Sequence, residues 1–445
     1  MLVGVTRIGA LRQHVAKGFV VVDGHLPATG RRGTVFNQGG GERVAGKPAL
    51  WYAEPAPRWL GSPAARAEWA GAIAADLAET VAAAHVSLLP ASVAAEVDGR
   101  QVVGPPGDDR HVIEVASAVE QEVLCNLLRE HVPLLIALTG RADPEGSGTG
   151  GSHRLGMSRQ HVATRYLASA STTHLARVEA ELRRTDGVAQ LERMDVHPAT
   201  LPDGTPAVVL RCIDAAASVS TTTAWALLVA AFGLRARRLV RDGRRLRNLP
   251  QQILEENRAR AVARGLRARL TVEEPAARGE QPKLVECSAR DLLRTLIVDT
   301  LSVELDNLGA TPQELFPIAA ALDLPQLGLS GCVSDDTLLR GWARQHRSGF
   351  AAIAGNVLLD AAPGGPCLAA ANQIAPGRTH LVLGEWAAIV AARKGAEPPR
   401  RPSAGRGPAQ QSGRDRPPRQ RSEPRGRSGQ RGGGQHQRPH KGEQS

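Results

Sequence analysis

One segment of the sequence alternates charged and apolar side chains in the way that a β-strand with one polar face does. In the run Gln190–Val196 and the residue after it, Arg193, Asp195 and His197 fall on one side of a strand, and Val196 falls on the other. An aspartate beside an arginine suits a site where the carboxylate holds a hard cation and the guanidinium binds a phosphate or an acidic substrate. The same row fits the solvent-facing side of a hairpin, so both interpretations remain open.

Another arginine interrupts an apolar segment. The run Ala207–Ile213 reads AVVLRCI, and the turn sequence PDGTP joins it to the preceding segment as a predicted hairpin. Arg211 therefore lies where the strand is otherwise apolar, and a buried charge needs an ion-pair partner or a ligand. The sequence leaves both the structural pair and the ligand contact open.

A glycine-rich loop, Glu145–Ser152, precedes the hydroxyl-rich stretch Gly156–His174. The loop has neither the lysine of a phosphate-binding P-loop nor an acidic residue about 20 positions further on, where a dinucleotide fold contacts the ribose. It is therefore predicted to be a flexible surface loop.

The segment Glu255–Gly265 is predicted to be a helix with three arginines, one of which is Arg258. Glu255 and Glu256 lie within one helical turn of it. We therefore expect a solvated face on which arginines pair with these glutamates, in preference to a basic binding patch.

The composition indicates a folded body with a basic tail. Of the 445 residues, 42% are hydrophobic and only 3% are aromatic, so an aliphatic core is expected and broad base-stacking platforms are not. The formal net charge is +11, yet residues 393–445 hold 14 Arg or Lys against 4 Asp or Glu, which leaves the body nearly neutral. From residue 394 onward the chain has almost no aliphatic side chains, so 394–445 is predicted to be disordered.

The cysteines and the apolar runs bear on the compartment. Five cysteines without C-x-x-C spacing indicate reduced thiols in a cytoplasmic protein and argue against structural zinc. The longest apolar run, Ala224–Leu234, is shorter than the ~20 residues of a membrane span, and the N-terminus lacks a sustained apolar signal region. We therefore expect neither export nor a membrane anchor.

Predicted strands precede predicted helices along the chain. Short β-runs broken by glycine and proline are Gly18–Gly24, Gly33–Gln38, Ala49–Pro55 and Ser87–Val97. One helix interrupts them, with Ser62 as its N-cap, Pro63 in its first turn, and Trp69, Ile73, Leu77 and Val81 along one face. Further helices are predicted near 113–132, 218–236, 251–265, 288–307, 313–323, 335–346 and 380–393. This order favours an α+β fold over regular βαβ alternation.

Several segments, taken in order, resemble the Pup ligase and Pup deamidase family of the proteasome accessory factor A type, which belongs to the glutamine synthetase-like carboxylate-amine ligases. GTVFNQGGGERV, at 33–44, looks like its R-L-Y-N-D strand followed by H-P-E-Y. MSRQHVATRYLASASTT looks like its S-Q-R-A segment leading to S-T-T, and LERMDV looks like its Y-R-R-L-H-V strand. VVLRCID and the segment Leu239–Glu256 are similar to later motifs of the family.

A second group in the same superfamily, the glutamate-cysteine ligase or YbdK-like enzymes, is also similar in places. EVLCNLLREHVPLLIALTG resembles its helix before the N-S-P-F loop, and ENRARAVARGL resembles its E-N-R-W-R-A segment. A glutamate-cysteine ligase-like enzyme is therefore an alternative to the Pup ligase-like one.

The resemblance implies a glutamine synthetase-like fold: a curved antiparallel sheet with packed helices, whose concave face binds ATP and Mg²⁺ through carboxylates. It implies a ligase or amidase domain over 1–270. The predicted helices that follow are assigned to a helical C-terminal lobe over 271–393, which does not resemble the family, and the tail follows this lobe. The implied chemistry is phosphorylation of a glutamyl group and attack by a lysine amine, or hydrolysis of the corresponding amide, with a Pup-like modifier among the expected partners.

The resemblance also assigns residues to roles. Gln38 occupies the position of the family's catalytic aspartate. The remaining assignments are Glu42, Arg193 and Arg211 for the cofactor, Glu42, Glu54 and Asp195 for the metal, and Ser158, Arg159 and Arg184 for the substrate.

The chain also departs from the family. A glutamine such as Gln38 cannot act as a carboxylate base or nucleophile, and the family's N-terminal metal glutamates are replaced by Thr6, Arg7 and Ile8. Glu54 and Glu114 are candidates to replace the missing carboxylates. The sequence thus predicts an active ligase or amidase, or a noncatalytic relative that binds a partner in the same cleft, and a third hypothesis gives nucleic-acid binding to the basic tail.

Overall fold

The computed structural model shows an α+β protein built on one antiparallel sheet. Contacts divide the chain into two units, Met1–Ala396 and Glu397–Ser445, and every described residue belongs to the first. The helix predicted at 380–393 and the tail predicted at 394–445 lie outside the described residues. The structure describes residues 11–22, 36–37, 49–55, 58–84, 87–97, 100–142, 150–158, 160–162, 165–167, 193–244, 246, 249–274, 283–323, 339, 342 and 350–374.

The main sheet has eight described strands, and its backbone order is β2-β3-β1-β8-β10-β9, with β4 and β5 also paired to β1. The strands β6 and β7, and β11 and β12, form two separate hairpins. The strand bounds are β1 Arg12–Val22, β2 Phe36–Asn37, β3 Ala49–Ala53, β4 Arg58–Trp59, β5 Ser87–Pro90, β6 Ala94–Val97, β7 Arg100–Val103, β8 Asp109–Glu114, β9 Val196–Thr200, β10 Pro206–Leu210, β11 Arg269–Glu274 and β12 Lys283–Ser288.

Helices pack against several strands of this sheet. A 3₁₀ turn covers Gly265–Arg267, and a π-helical stretch covers Leu296–Thr300. The helix bounds are α1 Pro63–Ala84, α2 Ala118–Thr139, α3 His153–Met157, α4 Val219–Arg241, α5 Gln251–Arg264, α6 Ala289–Thr295, α7 Ser302–Asn307, α8 Pro312–Asp323, α9 Phe350–Leu359 and α10 Gly365–Ile374.

The helix α1 confirms the prediction made from its cap and its apolar spacing. The hydroxyl of Ser62 accepts a hydrogen bond from the amide of Ala65 at 3.3 Å. Trp69, Ile73 and Leu77 are fully buried on one side of the helix. Each such buried side chain stabilises the fold by about 1.5–3 kcal/mol.

The helix α2 begins later than the sequence indicated. The residues expected to open it, Ile113 and Glu114, instead end strand β8, and the helix starts at Ala118 behind the N-cap Ser117. The segment DRHVIE has a period of two, with alternating buried and half-buried side chains, which marks it as a strand. The helix also runs through Pro133, because its other side chains are held in the core.

The predicted hairpin exists, but its first strand is displaced. Strand β9 begins at Val196, where the predicted strand ended, and pairs with β10 from Val196↔Leu210 to Thr200↔Pro206. Pro198 lies within β9, which is tolerated because β9 is the last described strand at this edge of the sheet. The predicted helix at 288–307 is likewise divided by the π-helical stretch into α6 and α7.

The helix α4 forms the centre of the core. By length and composition it is able to cross a membrane, but 94% of its most apolar window is buried inside the protein, as in the core helix of a globular domain. The largest hydrophobic cluster joins residues of α2 and α4 to Leu293, Phe316 and Leu322, which follow position 270 in the chain. The parts predicted as separate domains, 1–270 and 271–393, therefore share one core.

A buried ion pair connects the sheet to α4. The ammonium group of Lys17 donates to Asp109 Oδ1 at 3.2 Å, and both side chains are fully buried. Asp109 also accepts hydrogen bonds from the amides of Gly18 and Ala216 and, at 2.7 Å, from the hydroxyl of Thr222 on α4. Every charge in this group thus has partners, as a buried pair requires.

Candidate functional site

The face of the sheet opposite α2 and α4 carries a row of polar side chains, which we call the polar face: Arg12, His14, Tyr52, Arg110 and Glu114. Directly paired residues of antiparallel strands point to the same side, and the register pairs His14 with Val112 and Gly18 with Tyr52. The alternate residues of the same strands point into the core.

One end of the polar face is partly exposed. The ring of His14 lies 2.8 Å from Glu114 Oε1, and the guanidinium of Arg12 lies 3.5 Å from the same oxygen. The side chains of Arg12 and His14 are 39% and 31% exposed, whereas that of Glu114 is 13% exposed. The guanidinium of Arg12 and the imidazole of His14, both on β1, therefore share one carboxylate of β8 at the surface.

The centre of the polar face holds Arg110 above an aromatic ring. Its guanidinium carbon lies 5.7 Å from the centre of the Tyr52 ring, a cation–π distance. The Tyr52 hydroxyl donates to Asp108, and burial together with this carboxylate raises the tyrosine pKa far above its usual value. Tyr52 is consequently held neutral, and it serves as a fixed surface under Arg110.

Glu54, predicted as a metal ligand, lies just beyond β3 next to these cations. Burial raises the pKa of its carboxyl group, and the nearby charges of Arg110 and His14 oppose that shift. Its side chain is half-buried, and the structure places it on the same part of the protein as the polar face.

The other end of the polar face is a buried cluster in which three aspartates each hold an arginine. Asp108 lies 3.5 Å from Arg211, and Asp214 accepts a hydrogen bond from Arg154 at 2.8 Å. Burial opposes the ionisation of Asp108, but Arg154, Arg211 and Arg110 together lower its pKa. This ion-pair cluster holds α3 and the strand ends together.

Asp195 belongs to the same cluster. Its two carboxylate oxygens accept hydrogen bonds from Arg258 of α5 at 2.5 and 3.0 Å, and Asp195 is fully buried. The expectation that Arg258 pairs with Glu255 or Glu256 on a solvated face is therefore wrong. Asp195 attracts this arginine because a buried carboxylate needs a close cation more than exposed glutamates do.

The remaining predicted site residues have the following positions. Ser158 ends α3, and its hydroxyl accepts a hydrogen bond from the amide of Gln160 at 3.2 Å. Arg193 is half-buried, and its carbonyl accepts the amide of His161 at 3.0 Å. Gln38, Glu42, Arg159 and Arg184 lie outside the described residues, so their roles stay predictions.

The end of the glycine-rich loop is packed against a helix. A Cβ atom added to Gly151 would lie 1.8 Å from the carbonyl oxygen of Val262 in α5. The next residue, Ser152, donates its hydroxyl to Asp214 at 2.7 Å and caps α3. Gly150 and Gly151, the described glycines of this loop, thus bring α3 and α5 close together; the residues 143–149 lie outside the described part.

Replacing Gly151 by alanine is expected to lower the free energy of unfolding by about 3 kcal/mol or more, because a methyl group overlaps the Val262 carbonyl. Urea unfolding followed by circular dichroism measures the change. Gly71→Ala in α1 is the matched control, since a Cβ there meets nothing within 4 Å and helix propensity favours alanine by about 1 kcal/mol. Equal stability of Gly151→Ala and the unmodified protein would contradict the packing role.

The donor set does not fit a carboxylate-held magnesium ion among the described residues. Within that part of the chain, no three His, Cys, Asp or Glu side chains lie close enough to hold a metal. Both oxygens of Asp195 are occupied by Arg258, and Glu114 is shared by Arg12 and His14. A site for ATP with Mg²⁺ therefore stays a prediction that depends on residues outside the described ranges.

Sequence reasoning missed Arg110, Tyr52 and Asp108. The signal was present in the alternation of DRHVIE, which places Arg110 and Glu114 on one side of a strand and Ile113 on the other. This alternation was not recognised as a strand, because Ile113 was assigned to the start of the predicted helix at 113–132.

No family model and no curated protein sequence matches this chain. Among solved structures, the chain is similar to the crystal structure of the complex between the prokaryotic ubiquitin-like protein Pup and its ligase PafA. The sequence identity is 12% and the TM-score is 0.40, over 86% of this chain and 80% of that chain. At this level the similarity assigns no residue a role.

Proposed function

We propose that the protein is a noncatalytic binding protein whose polar face holds the carboxylate of a glutamyl or aspartyl group on a peptide or protein partner. The observation that carries this proposal is the environment of Arg110. Among the described residues, no hydrogen bond or ion pair engages its guanidinium, and its Nε is buried without an acceptor.

The other basic side chains near the polar face differ from Arg110. Arg12 and His14 share Glu114, and Arg258 is engaged by Asp195. The Tyr52 ring orients the guanidinium of Arg110, and the N–H groups of this guanidinium remain able to donate hydrogen bonds to a ligand. A guanidinium in that state is suited to bidentate binding of a carboxylate, in which two parallel N–H groups donate to two oxygens.

A peptide or protein fits this surface better than a nucleotide does. Glu54 and Glu114 lie beside the cations, and their negative charges disfavour a run of phosphates unless a metal ion neutralises them. A single carboxylate on a peptide meets only Arg110 directly, and its backbone amides find acceptors in the neighbouring glutamates. The proposed ligand is therefore a glutamyl group, as the sequence predicted, but the proposal does not include the predicted ligase or amidase reaction.

Titration calorimetry of the full chain with N-acetyl-glutamate N-methylamide tests the proposal. The Arg110→Gln variant is expected to bind about tenfold or more weakly, because a hydrogen bond to a charged group contributes about 1.5–3 kcal/mol. Arg260→Gln is the matched control, since Arg260 lies away from the polar face and pairs with Glu286 at 2.9 Å. Equal binding by wild type and Arg110→Gln, or equal binding of the uncharged glutamine analogue, would sink the proposal.

The same calorimeter decides between this proposal and the ATP-dependent carboxylate-amine ligase or amidase predicted from the sequence. A ligase is expected to bind ATP in the presence of Mg²⁺ and to lose that binding when Mg²⁺ is removed. A noncatalytic binding protein is expected to bind the glutamyl compound equally well with and without ATP.

A further inference from the structure

A long groove lies between the start of α1 and the last turns of α4, and Arg110 is not among the residues that line it. Its volume is about 1280 Å³, which is larger than most small-molecule pockets. We call it the α1–α4 groove and define it by Trp59, Pro63, Arg237, Arg238, Arg241 and Leu308.

The groove combines an apolar base with an exposed indole. Leu308 is buried at 1% exposure, and Pro63 of α1 lies beside it in the lining. Trp59 is 59% exposed, although tryptophan is among the side chains that proteins expose least. Tryptophan and arginine are also the residues most enriched where binding energy concentrates in protein interfaces.

In the groove, acidic side chains are buried and the arginines that pair with them are closer to solvent. Arg238 lies 2.7 Å from Glu304, and Arg237 lies 2.9 Å from Glu120. The two carboxylates are buried, with side-chain exposures of 2% and 5%, whereas the guanidinium side chains are 25% and 32% exposed. Each buried carboxylate thus holds one arginine at the floor of the groove, and the remaining N–H groups of that arginine are directed toward solvent.

A third arginine extends this row on the next turn of α4. Arg241 is 67% exposed, and its partner at 3.3 Å, Asp242, is 41% exposed. An arginine has five N–H donors, and a carboxylate partner at this distance engages only one or two of them. The solvent side of the groove therefore presents a positive, donor-rich row above an apolar base.

We propose that the α1–α4 groove binds an acidic, extended peptide segment of a partner protein. Carboxylates of the segment lie against Arg237, Arg238 and Arg241, and an apolar side chain packs against Trp59. A nucleic acid fits less well, because a continuous phosphate chain has no apolar group to place on the base formed by Pro63 and Leu308, whereas a peptide has apolar side chains.

This proposal goes beyond the glutamyl-binding function and does not depend on it. The groove includes neither Arg110 nor Tyr52, and its anchor residues come from β4, α1, α4 and the segment after α7. The tests of the two proposals substitute different residues, so each can fail alone.

The test uses the full chain and a fluorescein-labelled peptide made of Glu-Gly-Leu-Glu repeats, with fluorescence anisotropy at about 50 mM salt, where exposed charges are weakly screened. The double variant Trp59→Ala/Arg241→Gln removes the indole and an exposed arginine without leaving a buried carboxylate unpaired. We expect its Kd to rise about tenfold. The basic tail is present in every variant, so its contribution cancels.

Arg269→Gln is the matched control, because Arg269 is 64% exposed, nearly as much as Arg241, and lies on β11. We expect this variant to change the Kd less than about twofold. Equal affinity of the double variant and the unmodified protein would overturn the proposal. A short oligothymidine that binds more tightly than the peptide, and that the double variant releases, would also overturn it by showing a nucleic-acid site.

Discussion

Replacing Asp109 by asparagine is expected to lower the free energy of unfolding by about 3–5 kcal/mol. The substitution leaves the ammonium group of Lys17 fully buried without a counter-charge. If the amide NH₂ group takes the place of Oδ2, the amide of Ala216 and the hydroxyl of Thr222 both lose the oxygen that accepts their hydrogen bonds. Because whole domains are stable by only about 5–15 kcal/mol, this change removes a large part of the total.

Urea unfolding at neutral pH measures the effect of Asp109→Asn. Asp203→Asn serves as the control, because Asp203 is an exposed turn residue whose hydrogen-bond partner is its neighbour Thr205, and we expect it to change stability by less than about 0.5 kcal/mol. The double variant Lys17→Met/Asp109→Leu is expected to be more stable than Asp109→Asn, since it leaves no buried charge. A loss below about 1 kcal/mol for Asp109→Asn would show that the pair is not essential to the fold.

The second large effect is expected at the ion pair between Arg66 of α1 and Glu314 of α8. Arg66 donates to the two carboxylate oxygens at 2.6 and 2.9 Å and to the carbonyls of Leu60 and Leu308 at 3.0 and 2.9 Å. Both side chains are buried. Glu314→Gln removes the charge that holds this guanidinium, and we expect a loss of about 3–5 kcal/mol at pH 7.

The pH dependence identifies the charge as the cause. Burial raises the pKa of Glu314, but Arg66 and Thr311 lower it by more, so the folded pKa lies below the unfolded one. The contribution of a group with a depressed pKa is complete above its unfolded pKa and is lost as the pH falls through its folded pKa. The stability difference between wild type and Glu314→Gln should therefore shrink below about pH 4.5.

Glu68→Gln is the control for this measurement, because the Glu68 side chain is 66% exposed on the same helix α1 and pairs with an exposed arginine. Its effect is expected to stay below about 1 kcal/mol. A Glu314→Gln difference that is constant from pH 7 to pH 3 would mean that shape, and not charge, links α1 to α8.

Local signals in the sequence predicted much of the fold. The proline and the cap before α1, and the burial of Trp69 and Leu77, follow from a spacing that can be read without a structure. Local patterns of the sequence also predicted the early strands and the helix α5. The sequence did not show where β8 ends and α2 begins, because Ile113 fits the pattern of either element.

The candidate site was harder to predict because its parts meet through long-range pairing. Arg110 and Tyr52 are 58 positions apart in number, and they meet only because β8 and β3 both pair with β1. The hypothesis that Arg211 has an ion-pair partner is supported by Asp108 at 3.5 Å. The sequence does not show which aspartate contacts Arg211, because the sequence of one strand determines neither its neighbouring strands nor its register with them.

Pro198 in strand β9 determines how a partner can approach the sheet. A strand at the end of a sheet normally offers unpaired N–H and C=O groups, to which a strand of another chain can add. Pro198 has no backbone N–H to donate, and β9 is only five residues long. A strand of another chain therefore cannot form a continuous ladder of hydrogen bonds along β9. This edge of the described sheet is thereby protected from pairing with a strand of another chain, and recognition at this edge depends on side chains.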